Sequence, residues 1–171
     1  HLIIVAGRPG SGKTAFARDC AIAAADHGSV GFISLEMSRH ELAGMMMARC
    51  GNYSYQHVRD PSGLDGDWSQ VTAGMVKLKL PIHICDQAAL SFPAISLAML
   101  VVDYLGLIDM PKAERNDISV GMVTRGFKRL GKELGIPVVL LCQLSRKCEE
   151  RANKRPMLSD LRDAGQIEQD A

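Results

Sequence analysis

Aromatic side chains are scarce in this sequence: Trp68, three tyrosines and four phenylalanines among 171 residues. Modules that bind single strands by stacking bases need aromatic platforms, and these are missing from the basic segment Arg146–Arg155. Uninterrupted apolar stretches fall short of the ~18 residues of a membrane span, and no signal-peptide pattern is present. Net charge is nearly absent as well. Twenty Lys/Arg against 19 Asp/Glu leave +1, so no globally acidic or basic partner follows and any nucleic-acid surface has to be local. The local candidate is Arg125–Arg155, with nine Lys/Arg against three Glu. The five cysteines, Cys20, Cys50, Cys85, Cys142 and Cys148, form no C-x-x-C pair. The first four lie in apolar runs, which fits small buried thiols of a reducing compartment better than disulfides or zinc.

What is present is a glycine-rich loop in the right setting. GRPGSGKT (Gly7–Thr14) follows an apolar run, Leu2–Ala6, and precedes a helix-forming run, Ala15–Ala25. A G-x-x-x-x-G-K-[ST] match between a strand and a helix is specific in a way that a lone lysine or hydroxyl is not. Gly10 and Gly12 let the backbone curl around an anion with its N–H groups inward, and the helix adds its N-terminal N–H groups and positive dipole end. Lys13 would place a charge on the β- and γ-phosphates, and Thr14 would bind Mg²⁺. The expected nucleotide-contacting run is Gly7, Arg8, Pro9, Gly10, Ser11, Gly12, Lys13, Thr14 and Ala15.

At 171 residues the chain reads as one domain, long enough to bury roughly 70% of its extended-chain surface. It opens on a strand and stops at Ala171 within a region that reads as structured, so a piece of a longer protein is expected. Periodicity predicts a helix from Lys13 to about Asp26 with Phe16, Cys20, Ile22 and Ala23 on its packed face, then a strand at Val30–Leu35. Ser38 and Glu41 form a capping box that opens a helix through about Cys50, carrying Leu42, Met45, Met46 and Cys50. Its Met45–Met47 run reads as gap-filling in a core or subunit contact. Asn52–Gly66 reads as turns. A helix from about Asp67 to Leu78 has Trp68, Val71, Met75 and Leu78 at helical spacing, and strands follow at Ile82–Cys85 and Met99–Leu105.

Between those two strands the chain is short. A parallel crossover needs about 10–12 residues, normally helical. Gln87–Ala98 is twelve residues long and contains Pro93. Either the connection is unusually spare or a stretch is missing between Ser96 and Leu97, and the second is the expectation. A charged loop at Asp109–Asp117 leads to the longest helix, ending at Leu134, with Val123, Phe127, Leu130 and Leu134 as its buried stripe. Gly126 and Gly131 are expected to permit close helix–sheet approach, and Gly135 to cap the helix. A fifth strand, Ile136–Cys142, and a short helix near Ser159 complete the pattern. Apolar strands alternating with helices predict an α/β fold, a mainly parallel sheet covered on both faces, with ligands beyond the C-terminal strand ends.

Each strand end offers one group. Asp103 can hold the Mg²⁺ shell, its alternative being a turn cap. Glu36 can activate or orient a water at the γ-phosphate, its alternative being an ordinary helix-start acid near Ser38. Gln143 can donate to the γ-phosphate and report hydrolysis, its alternative being a satisfied strand end. Glu36, Lys13 and Gln143 are the catalytic candidates, Thr14 and Asp103 the metal ligands.

GRPGSGKT, SLEM, VVDYLGLI, LLCQLSR and the tail KRP-x-x-SDLRDAGQIEQDA together resemble the ATPase domain of the replicative DnaB-family DNA helicases, bacterial or bacteriophage. The resemblance covers nearly the whole chain. It implies a RecA-like P-loop core with strand order 3-2-4-5-1, ATP and Mg²⁺, a homo-hexameric ring, single-stranded DNA, primase and helicase loader as partners, and a cytoplasmic setting without a membrane. It implies that Glu36 is the catalytic carboxylate, Asp103 the Walker B acid, Gln143 the γ-phosphate sensor, and Arg162, Asp163 and Gly165 part of a central DNA-binding loop. Departures from the family pattern are Asp163-Ala164 in place of Glu-Ser, and Gly106 in place of Gln. The family pattern also has about twenty more residues, including a helix, near Ser96, an amino-terminal helical domain with its linker, and final strands bearing an arginine finger. A recombination or repair ATPase of the RecA class and a non-enzymatic assembly module remain as rival readings.

Overall fold

The computed structural model describes residues 1–60, 62, 68–87, 96–103, 116–145, 148, 151 and 153–161, with 116–120 and 158 by backbone alone. Among the described residues the elements run, in chain order, β1 (Leu2–Gly7), α1 (Lys13–Ala25), β2 (Ser29–Ser34), α2 (Arg39–Gly51), α3 (Gln56–Arg59), α4 (Ser69–Lys77), β3 (Ile82–Cys85), β4 (Leu97–Asp103), α5 (Asn116–Leu134) and β5 (Val138–Gln143), then a 3-10 turn at Leu158–Asp160. The strands form one parallel sheet in the order β1-β5-β4-β2-β3, the expected order read from the other edge. β5 therefore lies between the strand that enters the glycine-rich loop and the strand that ends in Asp103.

Strands buried on both faces need continuous apolar runs, and β4 and β5 supply them. Leu100, Val102, Val138, Leu140 and Cys142 face one core, closed by Phe127 of α5 with Leu144, Cys148 and Leu161 from the segment after β5. The alternate residues Met99, Val101, Val139 and Leu141 face the other core, with Ala17, Ala21 and Ala25 of α1 and Leu42 and Met46 of α2.

Several expectations change at the helices. The packed face of α1 is Ala17, Ala21 and Ala25, while Phe16 is 55% exposed and Ala23 is exposed. The helix lies so close over β4 and β2 that alanine fills the space, and size alone misdirects a periodicity reading. Residues 52–66, read as turns, include α3. In α4 the buried residue is Gly74, while Trp68 and Met75 stand exposed. A Cβ on Gly74 would sit 2.5 Å from the Met47 carbonyl oxygen, so α4 meets α2 backbone to backbone and its large side chains turn outward. In α5, Phe127 is buried but Leu134 is exposed, beyond the sheet. Gly131 fits the close-approach reading, with a Cβ 3.0 Å from Val138 Cγ2, whereas a Cβ on Gly126 would meet nothing within 4 Å among the described residues. All five cysteines are free; Cys142 and Cys148 are buried, but Cys20, Cys50 and Cys85 are only half-buried, because the apolar runs that hold them are element ends and outer helix faces. The capping box of Ser38 and Glu41 and the left-handed Gly135 (φ 68°) stand as expected. The crossover between β3 and β4 falls on residues 88–95, outside the described residues, as does the reading of a missing stretch beside Ser96.

The two glycine environments make opposite predictions. Gly74→Ala should destabilise by about 1–3 kcal/mol through overpacking. Gly126→Ala, at an open helical position, should stabilise by about 0.5–1 kcal/mol. Urea unfolding of the two variants side by side measures both signs.

Candidate functional site

The loop after β1 takes its shape from three glycines. Gly10 (φ 71°) and Gly12 (φ 88°) occupy the left-handed region, and Gly12 is the N-cap of α1 without any side-chain cap, so the first N–H groups of the helix stay directed at the loop. Gly7 has no room for a side chain: a Cβ would lie 2.5 Å from Ser11 Oγ and 3.0 Å from Lys13 Cγ. The Lys13 ammonium folds back over the loop and donates to the carbonyls of Gly7 (3.0 Å) and Arg8 (2.9 Å).

One residue on, Thr14 Oγ1 donates to Asp103 Oδ2 at 2.6 Å, joining the start of α1 to the end of β4. Asp103 is fully buried, and its other oxygen, Oδ1, has no hydrogen-bond partner among the described residues. Burial raises its pKa from the ordinary value, the Thr14 bond opposes this, and the charge of Glu36 raises it further. Glu36 is brought alongside by the turn after β2. The buried Ser34 hydroxyl donates to the Met37 carbonyl (2.8 Å), and the Leu35 N–H donates to the Asp103 carbonyl (2.7 Å), which carries β2–β4 pairing past the strand end. Gln143 pairs in register with Gly7, and the next N–H, Leu144, donates to the Gly7 carbonyl at 3.2 Å. Below it, burial pushes the Cys142 thiol up to about 11, so it stays protonated and inert at neutral pH.

Lys13, Thr14, Glu36 and Gln143 share one cavity of about 280 Å³, which Asp103 reaches only through Thr14. Pro9, Gly10, Gly12, Lys13, Thr14 and Ala15 line one side, and Glu36 and Gln143 the other. Gly7, Arg8 and Ser11 shape the loop from behind. Met45 of α2 also lines the cavity, a place the sequence reading missed by assigning its methionine run to a core or subunit contact. Nothing in the methionine run itself marks that place. Arg162, Asp163 and Gly165 lie outside the described residues, as does Gly106.

The donor set fits a hard divalent cation: a hydroxyl and a buried carboxylate with one oxygen unpartnered among the described residues, leaving further positions to phosphate and water. Among the described residues no group of three or more His, Cys, Asp or Glu could hold a metal by itself, which suits an ion that phosphates complete.

The sequence model of the family described as the DnaB-like helicase C terminal domain matches residues 1–171. The chain belongs to this family. Among curated proteins it is 39% identical to the replicative DNA helicase DnaB of Geobacillus stearothermophilus, covering 99% of this chain and 41% of that protein. It is 38% identical to the replicative DNA helicase DnaC of Bacillus subtilis, again over 99% and 41%. The chain thus spans about two fifths of the length of these relatives, and both alignments run over 186 residues, more than its own 171. Among solved structures, an ATPase domain superposes with a TM-score of 0.88 at 31% identity, covering 99% of this chain and 66% of that one. A DnaB-like replicative helicase, in a structure that also concerns its interactions with primase, superposes at 0.87 with 32% identity, covering 99% and 45%. The fold is therefore the RecA-like α/β core of these ATPase domains. No helix among the described residues is long and apolar enough to cross a membrane.

Asp103→Asn leaves an acceptor for Thr14 while removing a charge that the fold buries. Because the folded pKa is raised, ionised Asp103 opposes folding in full above that raised value, and the opposition fades as pH falls through it toward the ordinary carboxylate pKa. The variant should unfold at a higher temperature than the parent at pH 7, with the gap closing in acid. Calorimetry over a pH series checks both.

Proposed function

We propose that this chain is the motor domain of a hexameric replicative DNA helicase, hydrolysing ATP to move along single-stranded DNA and part duplex at a fork. The observation that carries the reading is the Thr14–Asp103 bond at the foot of α1, with Asp103 Oδ1 unpartnered among the described residues and Thr14 lining one cavity with Lys13, Glu36 and Gln143.

In this reading Lys13 exchanges the Gly7 and Arg8 carbonyls for the β- and γ-phosphate oxygens, and the loop N–H groups with the α1 N-terminus hold the rest of the triphosphate. Thr14 and Asp103 hold Mg²⁺, which when bound neutralises charge developing on the phosphate oxygens. Glu36, exposed at the cavity wall, orients the attacking water and accepts its proton. Gln143 donates to the γ-phosphate and shares a backbone with the segment that runs on to Arg162, Asp163 and Gly165, which contact DNA phosphates without reading bases. Primase and a loader are the expected partners, the cytoplasm the expected setting. The alignments longer than this chain support the reading that relatives carry further residues; their place near Ser96 and their helical form rest on the family resemblance.

Steady-state ATPase of the full-length protein with and without single-stranded DNA, beside unwinding of a forked duplex, tests the proposal. Stimulation by DNA and ATP-dependent unwinding support it. Turnover without unwinding, with filaments in place of rings in negative stain, would favour the recombination class, and ATP binding without turnover an assembly module.

Glu36→Gln should keep ATP affinity and lower turnover by about 10²–10⁴, whereas Lys13→Ala should weaken ATP binding itself; isotope-labelled ATP binding beside phosphate release separates the two. Arg162→Ala should lower affinity for all single-stranded sequences alike and reduce the salt slope by about one. Filter binding across a salt series measures it, and unchanged affinity in an intact hexamer would remove Arg162 from the interface.

A further inference from the structure

The segment after β5 is closed around one carboxylate. The Ser145 N–H donates to the Asp160 carbonyl at 2.7 Å, and Leu144 and Leu161 form an antiparallel bridge, so the two ends of the segment lie side by side. Inside it, the buried Asp160 side chain accepts from the Met157 N–H at 2.8 Å and from the Arg151 guanidinium. Those two contacts hold its carboxyl below the ordinary range, the Met157 N–H more strongly. Asp160 is thereby engaged from within the segment. The segment ends at Leu161, one residue before Arg162.

One side chain of the glycine-rich loop reaches this segment. Arg8 Nη2 donates to the Lys154 carbonyl at 3.3 Å and lies 3.8 Å from the buried Cys148 Sγ. The backbone carbonyl of the same residue accepts from the Lys13 ammonium. Arg8 thus has its carbonyl on the lysine that faces the phosphates and its guanidinium on the loop that leads to the DNA residues. The motif reading placed Arg8 in the nucleotide-contacting run and named no partner for its side chain.

We infer that Arg8 is a positioning residue that couples nucleotide state to DNA grip, by tying the phosphate loop to the closed segment 144–161. This rests on the function proposed above. The Leu144–Gly7 backbone bond links the same two regions through the stiff sheet. The Arg8 link is different in kind. When Lys13 turns to a phosphate it leaves the Arg8 carbonyl, the peptide at Arg8 gains freedom to rotate, and the guanidinium shifts against Lys154. Both contacts are made by one nitrogen, Nη2, at the end of a planar side chain, and a lysine ammonium, with a shorter and more flexible stem, replaces them only in part.

Coupling of this kind is reciprocal and is read as a ratio of affinities. In the full-length protein, the affinity for oligo-dT is measured with a non-hydrolysable ATP analogue and with ADP, and the affinities for the two nucleotides with and without oligo-dT. The parent should show a ratio in the range of about 5–150-fold, equal in both directions. Arg8→Ala should bring both ratios close to one, and Arg8→Lys should restore part of each. Arg151→Ala, which loosens the segment from its far end and leaves the phosphate loop untouched, should also lower the ratio and decides the matter if Arg8→Ala does not fold. A merely structural role would weaken affinities without changing their ratio. A parental ratio retained by folded, hexameric Arg8→Ala overturns the inference and leaves the proposed function standing. A parent whose own ratio is one overturns the proposed function, and the inference with it.

Discussion

Thr14 reaches Asp103 because the fully buried residues of α1 are all alanines, with Cys20 and Ile22 only partly buried at the edge of that contact. Ala17, Ala21 and Ala25 are one helical turn apart, and all three are almost completely buried against β2 and β4. A larger residue at any of them would lift the helix by an ångström or more, and a hydrogen bond of 2.6 Å has no slack for that. The chemistry of the cavity therefore depends on a packing constraint a full turn and more from it. The first turn of α1 carries loop, lysine and hydroxyl as one rigid piece, and β4 and β5, buried on both faces, fix the opposing carboxylate and amide.

Electrostatically the site is arranged ahead of its ligand. Lys13 is held by two carbonyls of its own loop, which keeps its charge folded over the glycine-rich turn. The uncapped N-terminus of α1 adds a fixed dipole at the same point. Asp103 is the counterweight: a buried carboxylate, disfavoured by desolvation and by Glu36, with one oxygen unsatisfied among the described residues. A buried polar atom without a partner costs about 1–3 kcal/mol, and a cation between Thr14 and Asp103 would relieve that cost. Preorganisation of this kind is how phosphoryl-transfer sites lower barriers without reorganising during the reaction.

Much of this was legible in the sequence because local chemistry and strand order are both strongly specified. A glycine-rich loop needs left-handed residues at fixed places, so Gly10 and Gly12 announce it. Strand ends in a parallel sheet gather ligand groups, so Asp103, Glu36 and Gln143 could be named before their proximity was visible. The packed faces of helices were less legible. Phe16, Trp68, Met75 and Leu134 sit at positions that periodicity assigns to a core, yet alanine and glycine make the close contacts and the large residues face outward. Hydrophobic period reports which residues are apolar, not how near the next element lies. Met45 was missed for a related reason: a methionine carries no chemical signature of its position, and only the turn made by Ser34 and Met37 brings β2 and α2 around the cavity. The Arg8 side chain was given no partner because Cys148 and Lys154 are distant in sequence.

The central claim is that the Thr14–Asp103 pair and Lys13 form a prepared seat for a triphosphate and its cation. A crystal structure of the full-length protein with Mg²⁺ and a non-hydrolysable ATP analogue tests it most directly. The account predicts Lys13 Nζ released from the Gly7 and Arg8 carbonyls onto phosphate oxygens, with Thr14 Oγ1 about 2.0–2.1 Å from the ion and Asp103 in its coordination shell. Triphosphate bound while Lys13 keeps both carbonyls, or a cation held away from Thr14 and Asp103, would contradict it.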